Sequence, residues 1–254
     1  MPMFLQAGLW GMFAASGLLI GSGVAVGFHK HLSHRAIAAV MGFGGGVLVA
    51  VMSIDLIQEA FGGGRTASVA GFIAGGTLFS AINWWLARNG AKNRNRCGGC
   101  VAQPSEADHP GSGTAIAVGA VLDGIPESLV IGLSLLQGGT IGLGLIAGFF
   151  LANVPQGLSS AAGMTTAGRS RTYIFTLWTS IVLVSGLASA AGNALLGATD
   201  PAVSAAILAF AAGGVLAMLA ETMIPEAFED AQPFIGLITV FGFLASFLII
   251  KGQG

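Results

Sequence analysis

The sequence predicts an all-α, polytopic membrane protein: one domain of eight transmembrane helices arranged as an inverted repeat. Three observations predict it. Of 254 residues, 54% are hydrophobic and only 8% are charged, whereas a soluble domain carries about 25% charged residues. Long stretches contain no Asp, Glu, Lys or Arg at all, namely 1 to 29, 36 to 54, 66 to 87, 128 to 168, 172 to 199, 201 to 220 and 231 to 250. Finally, two pairs of segments echo one another along the chain. The 10 Lys and Arg and 11 Asp and Glu are too few to solubilise a globule of this composition, so the lipid bilayer is the solvent. The net charge of −1 and the thin spread of basic residues leave no electrostatic footprint for nucleic acid.

Each charge-free stretch is long enough for a crossing of about 20 residues. The longest, 128 to 168, is two helices turning at Gln137-Gly138-Gly139-Thr140. Adding the apolar stretch around Asp123 gives eight spans: about 4–28, 36–61, 68–89, 112–136, 140–167, 172–196, 202–229 and 233–250. The 41 glycines fit such a bundle, because small residues let helices approach closely in lipid. Glycine-rich faces on spans 1, 2 and 3 can pack within one chain or between two, so a homodimer stays open. No Lys or Arg precedes Lys30, and without a basic n-region the first span is expected to be retained rather than cleaved.

Orientation follows from the loops. Lys30 and Arg35 flank the turn between spans 1 and 2; Arg88, Lys92, Arg94 and Arg96 follow span 3; Arg169 and Arg171 lie between spans 5 and 6. The opposite side holds only Arg65 and Lys251. The bias puts both termini outside the cytoplasm, and in a cell (inner) membrane it makes the polar loop of about 90–111 cytoplasmic.

Ionisable groups inside a bilayer are costly unless paired or hydrated, so each marks a function. Asp55 and Glu59 fall in span 2, Asp123 and Glu127 in span 4, and Glu221 and Glu226 in or near the end of span 7, followed by Glu229 and Asp230. No span contains a Lys or Arg to neutralise them, so the simplest partner is a cation from outside the chain. Asp123 and Glu127 are four residues apart and therefore share one helical face near mid-membrane. Span 5 offers Asn153 and Gln156 at the same depth. Pro126 and Pro155 each remove a backbone N–H and free a carbonyl one turn earlier, and broken helices at the midplane are where transporters coordinate ions.

These two segments align without gaps, Asp123-Gly-Ile-Pro-Glu-Ser-Leu129 on Ala152-Asn-Val-Pro-Gln-Gly-Leu158. A second echo joins Glu59-Ala60-Phe61 to Glu226-Ala227-Phe228, each preceded by glycines and a Val-Leu pair with a one-residue slip. The paired spans run in opposite directions, as in inverted-repeat carriers; chance similarity between Gly/Ala-rich helices is the competing explanation of the second echo.

The segments IPESLVIG, NVPQGLSSA and IPEAF resemble the ZIP (Zrt-/Irt-like) family of divalent metal transporters across essentially the whole chain. The resemblance implies an eight-helix bundle, extracytoplasmic termini, no enzymatic activity, and a divalent metal ion as substrate with no organic cofactor. It is a divergent resemblance. The family's helix 4 pattern His-Asn-x-Pro-Glu-Gly reads here Asp123-Gly124-Ile125-Pro126-Glu127-Ser128, and its helix 5 pattern reads Ala152-Asn153-Val154-Pro155-Gln156-Gly157. What remains implies one metal position on Asp123 and Glu127, helped by Asn153 and Gln156, with the second position stripped of most ligands. Zn²⁺ is the family default, and loss of the histidine in favour of oxygen donors shifts the expectation towards Mn²⁺ or Fe²⁺. Asp55 and Glu59 are expected at the outer mouth, and Glu221 and Glu226 along the inner release path.

All soft ligands lie in two loops: His29, His31 and His34 between spans 1 and 2, and Cys97, Cys100 and His109 between spans 3 and 4. Cys97, Cys100 and His109 supply three ligands of a cytoplasmic metal site that ordinarily needs four; a reduced thiol pair without a role is the equal alternative. Two rival readings of the whole chain stand beside metal transport. One is a proton-coupled carrier of a small solute, the other a membrane metal sensor without flux. An intramembrane metalloprotease lacks its His-Glu-x-x-His motif.

Overall fold

The computed structural model describes residues 1–28, 31–88, 112–138, 142–196, 199–229 and 234–252. Among these residues the chain is helical, with no strand. In order, the helices are α1 (Met3–Phe28), α2 (His34–Val51), α3 (Ile57–Gly62), α4 (Arg65–Leu86), α5 (Ser112–Gly138), α6 (Leu143–Thr166), α7 (Arg171–Leu196), α8 (Pro201–Met218), α9 (Ile224–Glu229) and α10 (Ile235–Lys251). Two π-helical segments interrupt this order. Met52–Leu56 joins α2 to α3, and Leu219–Met223 joins α8 to α9.

Seven helical units among the described residues are long and apolar enough to cross a bilayer: Met3–Phe28, Arg35–Gly62, Arg65–Leu86, Val118–Leu136, Leu143–Thr166, Arg171–Leu196 and Pro201–Phe228. This is an integral multi-pass architecture. The stretch expected as an eighth span is the shorter apolar helix α10, 17 residues long, or ~25 Å at the α-helical rise. Outward faces carry large apolar side chains, among them Ile73, Leu187 and Leu195, as a lipid-facing surface requires.

Local sequence explains where the helices begin and end. Ser33 caps α2, its hydroxyl accepting from the Ala36 N–H at 3.1 Å. Asp200 caps α8, accepting from the Ala202 N–H at 2.8 Å, with Pro201 in the first turn. Both are side chains that satisfy orphan N–H groups. The α6–α7 turn is made by Gly168 at φ 78°, with Arg169 N–H donating back to Met164 O at 2.9 Å, a left-handed helix stop that glycine adopts without strain.

Sequence periodicity alone suggests unbroken helices over 36–61 and 202–229, and the structure differs. In each, one backbone bond spans five residues, Ile57 N–H to Met52 O and Ile224 N–H to Leu219 O. In the second case the cause is visible: Pro225 has no N–H to donate to Glu221 O, so the helix widens just before it.

Helix α6 is the most enclosed, with buried residues running from Gly144 to Met164. It packs against α1 and α2; α5 packs against α7 and α8; α4 packs on α8, and α10 on α2. Several of these contacts need glycine, because a Cβ would collide with a neighbouring carbonyl. It would lie 1.9 Å from Thr239 O at Gly46, 2.0 Å from Phe72 O at Gly213, 1.9 Å from Phe210 O at Gly75 and 2.0 Å from Phe43 O at Gly242. The α2–α10 and α4–α8 contacts map onto one another at a single spacing: 43 to 210, 46 to 213, 72 to 239 and 75 to 242 each differ by 167. The two π segments obey the same spacing, 52 to 219 and 57 to 224. So do Ser22, which donates to Gly157 O at 3.2 Å, and Ser189, which donates to Ser128 O at 2.9 Å. The one-residue slip expected between the segments around Glu59 and Glu226 is absent from these contacts.

Most glycines of the first three spans are taken up inside the chain. Gly17 and Gly21 of α1 lie against α6, Gly11 against α7, and Gly71 and Gly75 of α4 against α8.

Candidate functional site

Four of the sequence-predicted residues are buried on the facing helices α5 and α6, and two of them, Glu127 and Asn153, are in contact. Asp123, Glu127 and Asn153 are each 4% exposed and Gln156 is 5% exposed. Asp123 and Glu127 project from α5, and Asn153 and Gln156 from α6. These two helices have little direct backbone contact; side chains bridge the space between them. Asn153 Nδ2 donates to Glu127 Oε2 at 3.0 Å and to Ala14 O of α1 at 3.2 Å. Gln156 Nε2 donates to Met223 Sδ at 3.7 Å. With both amide nitrogens engaged, the amide oxygens remain as acceptors, the polarity that a cation requires.

Glu127 Oε1 is buried and has no hydrogen-bond partner. A carboxylate oxygen in this state costs free energy unless something positive meets it. The prolines help to build the space. Pro126 and Pro155 lie within continuous helices α5 and α6, and each ring meets a glycine of a neighbouring helix. A Cβ at Gly214 would lie 3.4 Å from Pro126 Cγ, and one at Gly44 2.6 Å from Pro155 Cγ. Ser128 Oγ donates to Gly124 O at 2.7 Å in the turn around Pro126. Among the described residues, no three His, Cys, Asp or Glu side chains gather to hold a metal ion by themselves. A cation at this site would therefore need amide or backbone oxygens besides the two carboxylates.

The remaining predicted residues lie apart from this centre. Glu59 is half-buried and lines a cavity of about 510 Å³ at the end of the bundle formed by the α3–α4 and α7–α8 turns, with Gln58, Leu133, Leu136, Thr199 and Ser204 also in its wall. Leu133 is six residues beyond Glu127 on α5, ~9 Å along the axis. Asp55 is half-buried in the first π segment. Glu221 is exposed and accepts from two α4 side chains, Ser80 Oγ and Asn83 Nδ2, the latter at 2.8 Å. Glu226 is half-buried on α9. His31 is exposed between α1 and α2. His29, Cys97, Cys100, His109 and Asp230, together with the side chain of His34, lie outside the described residues.

Two participants escaped the sequence reading. The Ala14 carbonyl belongs to a helix without ionisable residues, and Met223 reads as an ordinary core residue in an apolar run. Compared with known proteins, the chain matches no protein-family model and no curated protein at a significant level.

Proposed function

We propose that this chain is a divalent metal cation transporter of ZIP-like type, importing its cargo into the cytoplasm through a mid-membrane site on Asp123 and Glu127. The observation that carries the reading is Glu127 Oε1, a buried carboxylate oxygen without a hydrogen-bond partner, in a span that contains no Lys or Arg. Asn153 and Gln156 complete the shell through their amide oxygens, the Asn153 nitrogen being tied to Glu127 and Ala14 and that of Gln156 to Met223. The cargo is Zn²⁺, Mn²⁺ or Fe²⁺, with the carboxylate and amide oxygens favouring the harder ions.

In this reading α10 is the eighth crossing and the bundle is an inverted repeat. The constant spacing of 167 between equivalent contacts supports it, as does the placement of both mid-span prolines on the central pair α5 and α6. The orientation has both termini outside the cytoplasm in a cell membrane. The bias of Lys and Arg among the loops supports it, Arg65 and Lys251 alone falling on the opposite side. Cations reach the centre from the cavity beside Glu59 and leave past the inner end of α9 and Glu226.

The test is flux in proteoliposomes with a panel of Zn²⁺, Mn²⁺, Fe²⁺ and Cd²⁺. Uptake by the wild type and its loss in Glu127→Ala is the expected result. Binding at the centre without flux would replace the reading with a sensor, and metal-independent solute flux lost on Asp123→Asn would replace it with a proton-coupled carrier.

A further inference from the structure

Beyond the oxygen donors, one buried atom with metal-binding chemistry touches a side chain of the candidate site: the thioether sulfur of Met223, against Gln156. The residue is 0% exposed and closes the second π segment. Its Sδ accepts from Gln156 Nε2 at 3.7 Å, while its methyl is lodged towards α2, 3.4 Å from where a Cβ of Gly44 would stand. Methionine sulfur is soft and polarizable, and here it meets the polar amide of Gln156. The backbone beneath it is held, since Glu221 of the same segment accepts from Ser80 and Asn83 of α4.

This gives an oxygen-lined centre a single soft donor, and the amide–thioether bond sorts ions by softness. Thioether sulfur is a weak acceptor, so a thiophilic cation displaces Gln156 Nε2 from it at small cost. A hard cation has no gain from sulfur and leaves that bond in place, taking the Gln156 oxygen instead. We propose that Met223 is a specificity-determining residue of the centre, its thioether ligating thiophilic divalent cations such as Cd²⁺ and Zn²⁺ together with Asp123 and Glu127, and standing aside for Mn²⁺. The inference rests on the transport reading above, and it qualifies the preference for hard ions that the oxygen donors alone imply.

The experiment uses the full chain with Cys97→Ser and Cys100→Ser, so that no thiolate competes for the soft ion. Cd²⁺ and Mn²⁺ uptake is measured in proteoliposomes for this background and for Met223→Leu, which keeps apolar volume. X-ray absorption at the cadmium edge is recorded on the Cd²⁺-loaded background protein. The expected result is a sulfur neighbour in the cadmium shell, and a Cd²⁺-to-Mn²⁺ uptake ratio that falls about tenfold in Met223→Leu. A cadmium shell of oxygen alone in a protein that carries both ions overturns the role of Met223 and leaves the transport reading intact. An unchanged uptake ratio does the same, as does parallel loss of both ions, which marks a packing role. Absence of both binding and flux in the background protein, for every ion, overturns the transport reading and the inference with it.

Discussion

Asn153 donates to Glu127 Oε2 at 3.0 Å, tying together two proline-containing helices that otherwise have little backbone contact. One carboxylate oxygen is thereby fixed and the other, Oε1, has no hydrogen-bond partner. The same Asn153 nitrogen also donates to Ala14 O, so α1 sets the orientation of the amide. Asn153→Leu removes that support while keeping similar volume. Its metal affinity is expected to fall 10- to 100-fold, the usual effect of losing a group that orients a ligand, with helix content unchanged. Calorimetric titration with Mn²⁺ checks it, and unaltered affinity would show that Asn153 neither orients Glu127 nor belongs to the shell.

Glu127→Gln keeps the shape of the side chain and removes its charge. Uptake is expected to fall at least a hundredfold, while purified yield stays near the parent level because no cation in the span is left uncompensated. The sign of the pH dependence follows from the chemistry of the ligands. A carboxylate binds metal only when deprotonated, so lowering the pH makes protons compete for the site and uptake must decrease. Reciprocally, metal binding releases any protons the carboxylates hold. A pH indicator in weakly buffered detergent solution will register acidification on adding Mn²⁺ to the parent and less on adding it to Glu127→Gln; equal acidification would place the released protons elsewhere.

Helix separation is set by glycine at the α4–α8 contact. A methyl group at Gly75 would fall 1.9 Å from Phe210 O, whereas one at Gly23 meets nothing within 4 Å. Gly75→Ala is therefore expected to destabilise the protein by about 1–3 kcal/mol through overpacking against backbone. Gly23→Ala is expected to be neutral or to stabilise by up to about 1 kcal/mol, since alanine is the better helix former. Thermal unfolding in detergent compares the two, and equal melting temperatures would mean that α4 and α8 adjust freely.

The spans were legible because the bilayer forces apolar runs of a fixed length, and nothing else in a sequence of this composition explains seven of them. Asp123, Glu127, Asn153 and Gln156 were legible because buried polar residues beside mid-span prolines stand out against a background almost free of charge. The π turns were not, because a single widened backbone bond, such as Ile57 N–H to Met52 O, leaves the apolar pattern on either side unchanged. Ala14 contributes through a carbonyl that every residue possesses, so no sequence signal exists for it. Met223 had no distinguishing signal: it lies in the run Thr222-Met-Ile-Pro-Glu226, where a methionine reads as an ordinary core residue. The role of Glu221 as a tie to Ser80 and Asn83 required knowing that α4 and α8 are neighbours, which local pattern cannot supply.

Glu59 tests the path rather than the centre. It lines the cavity of about 510 Å³ and lies on a different helix from Asp123 and Glu127. A carboxylate there concentrates cations at the mouth without holding them through the transition across the membrane, and such steering acts on encounter. Glu59→Gln is therefore expected to raise the KM for metal uptake about two- to tenfold with the maximal rate preserved, whereas Glu127→Gln removes the maximal rate itself. Because the effect is electrostatic and acts through the open cavity, it should shrink as ionic strength rises and the Debye length falls below about 10 Å. Initial uptake rates measured across metal concentration at low and high salt separate the two cases. A Glu59→Gln variant whose maximal rate collapses at every salt concentration would move this residue from the vestibule into the binding site, and would make the first π segment, with Asp55, part of the same coordination problem.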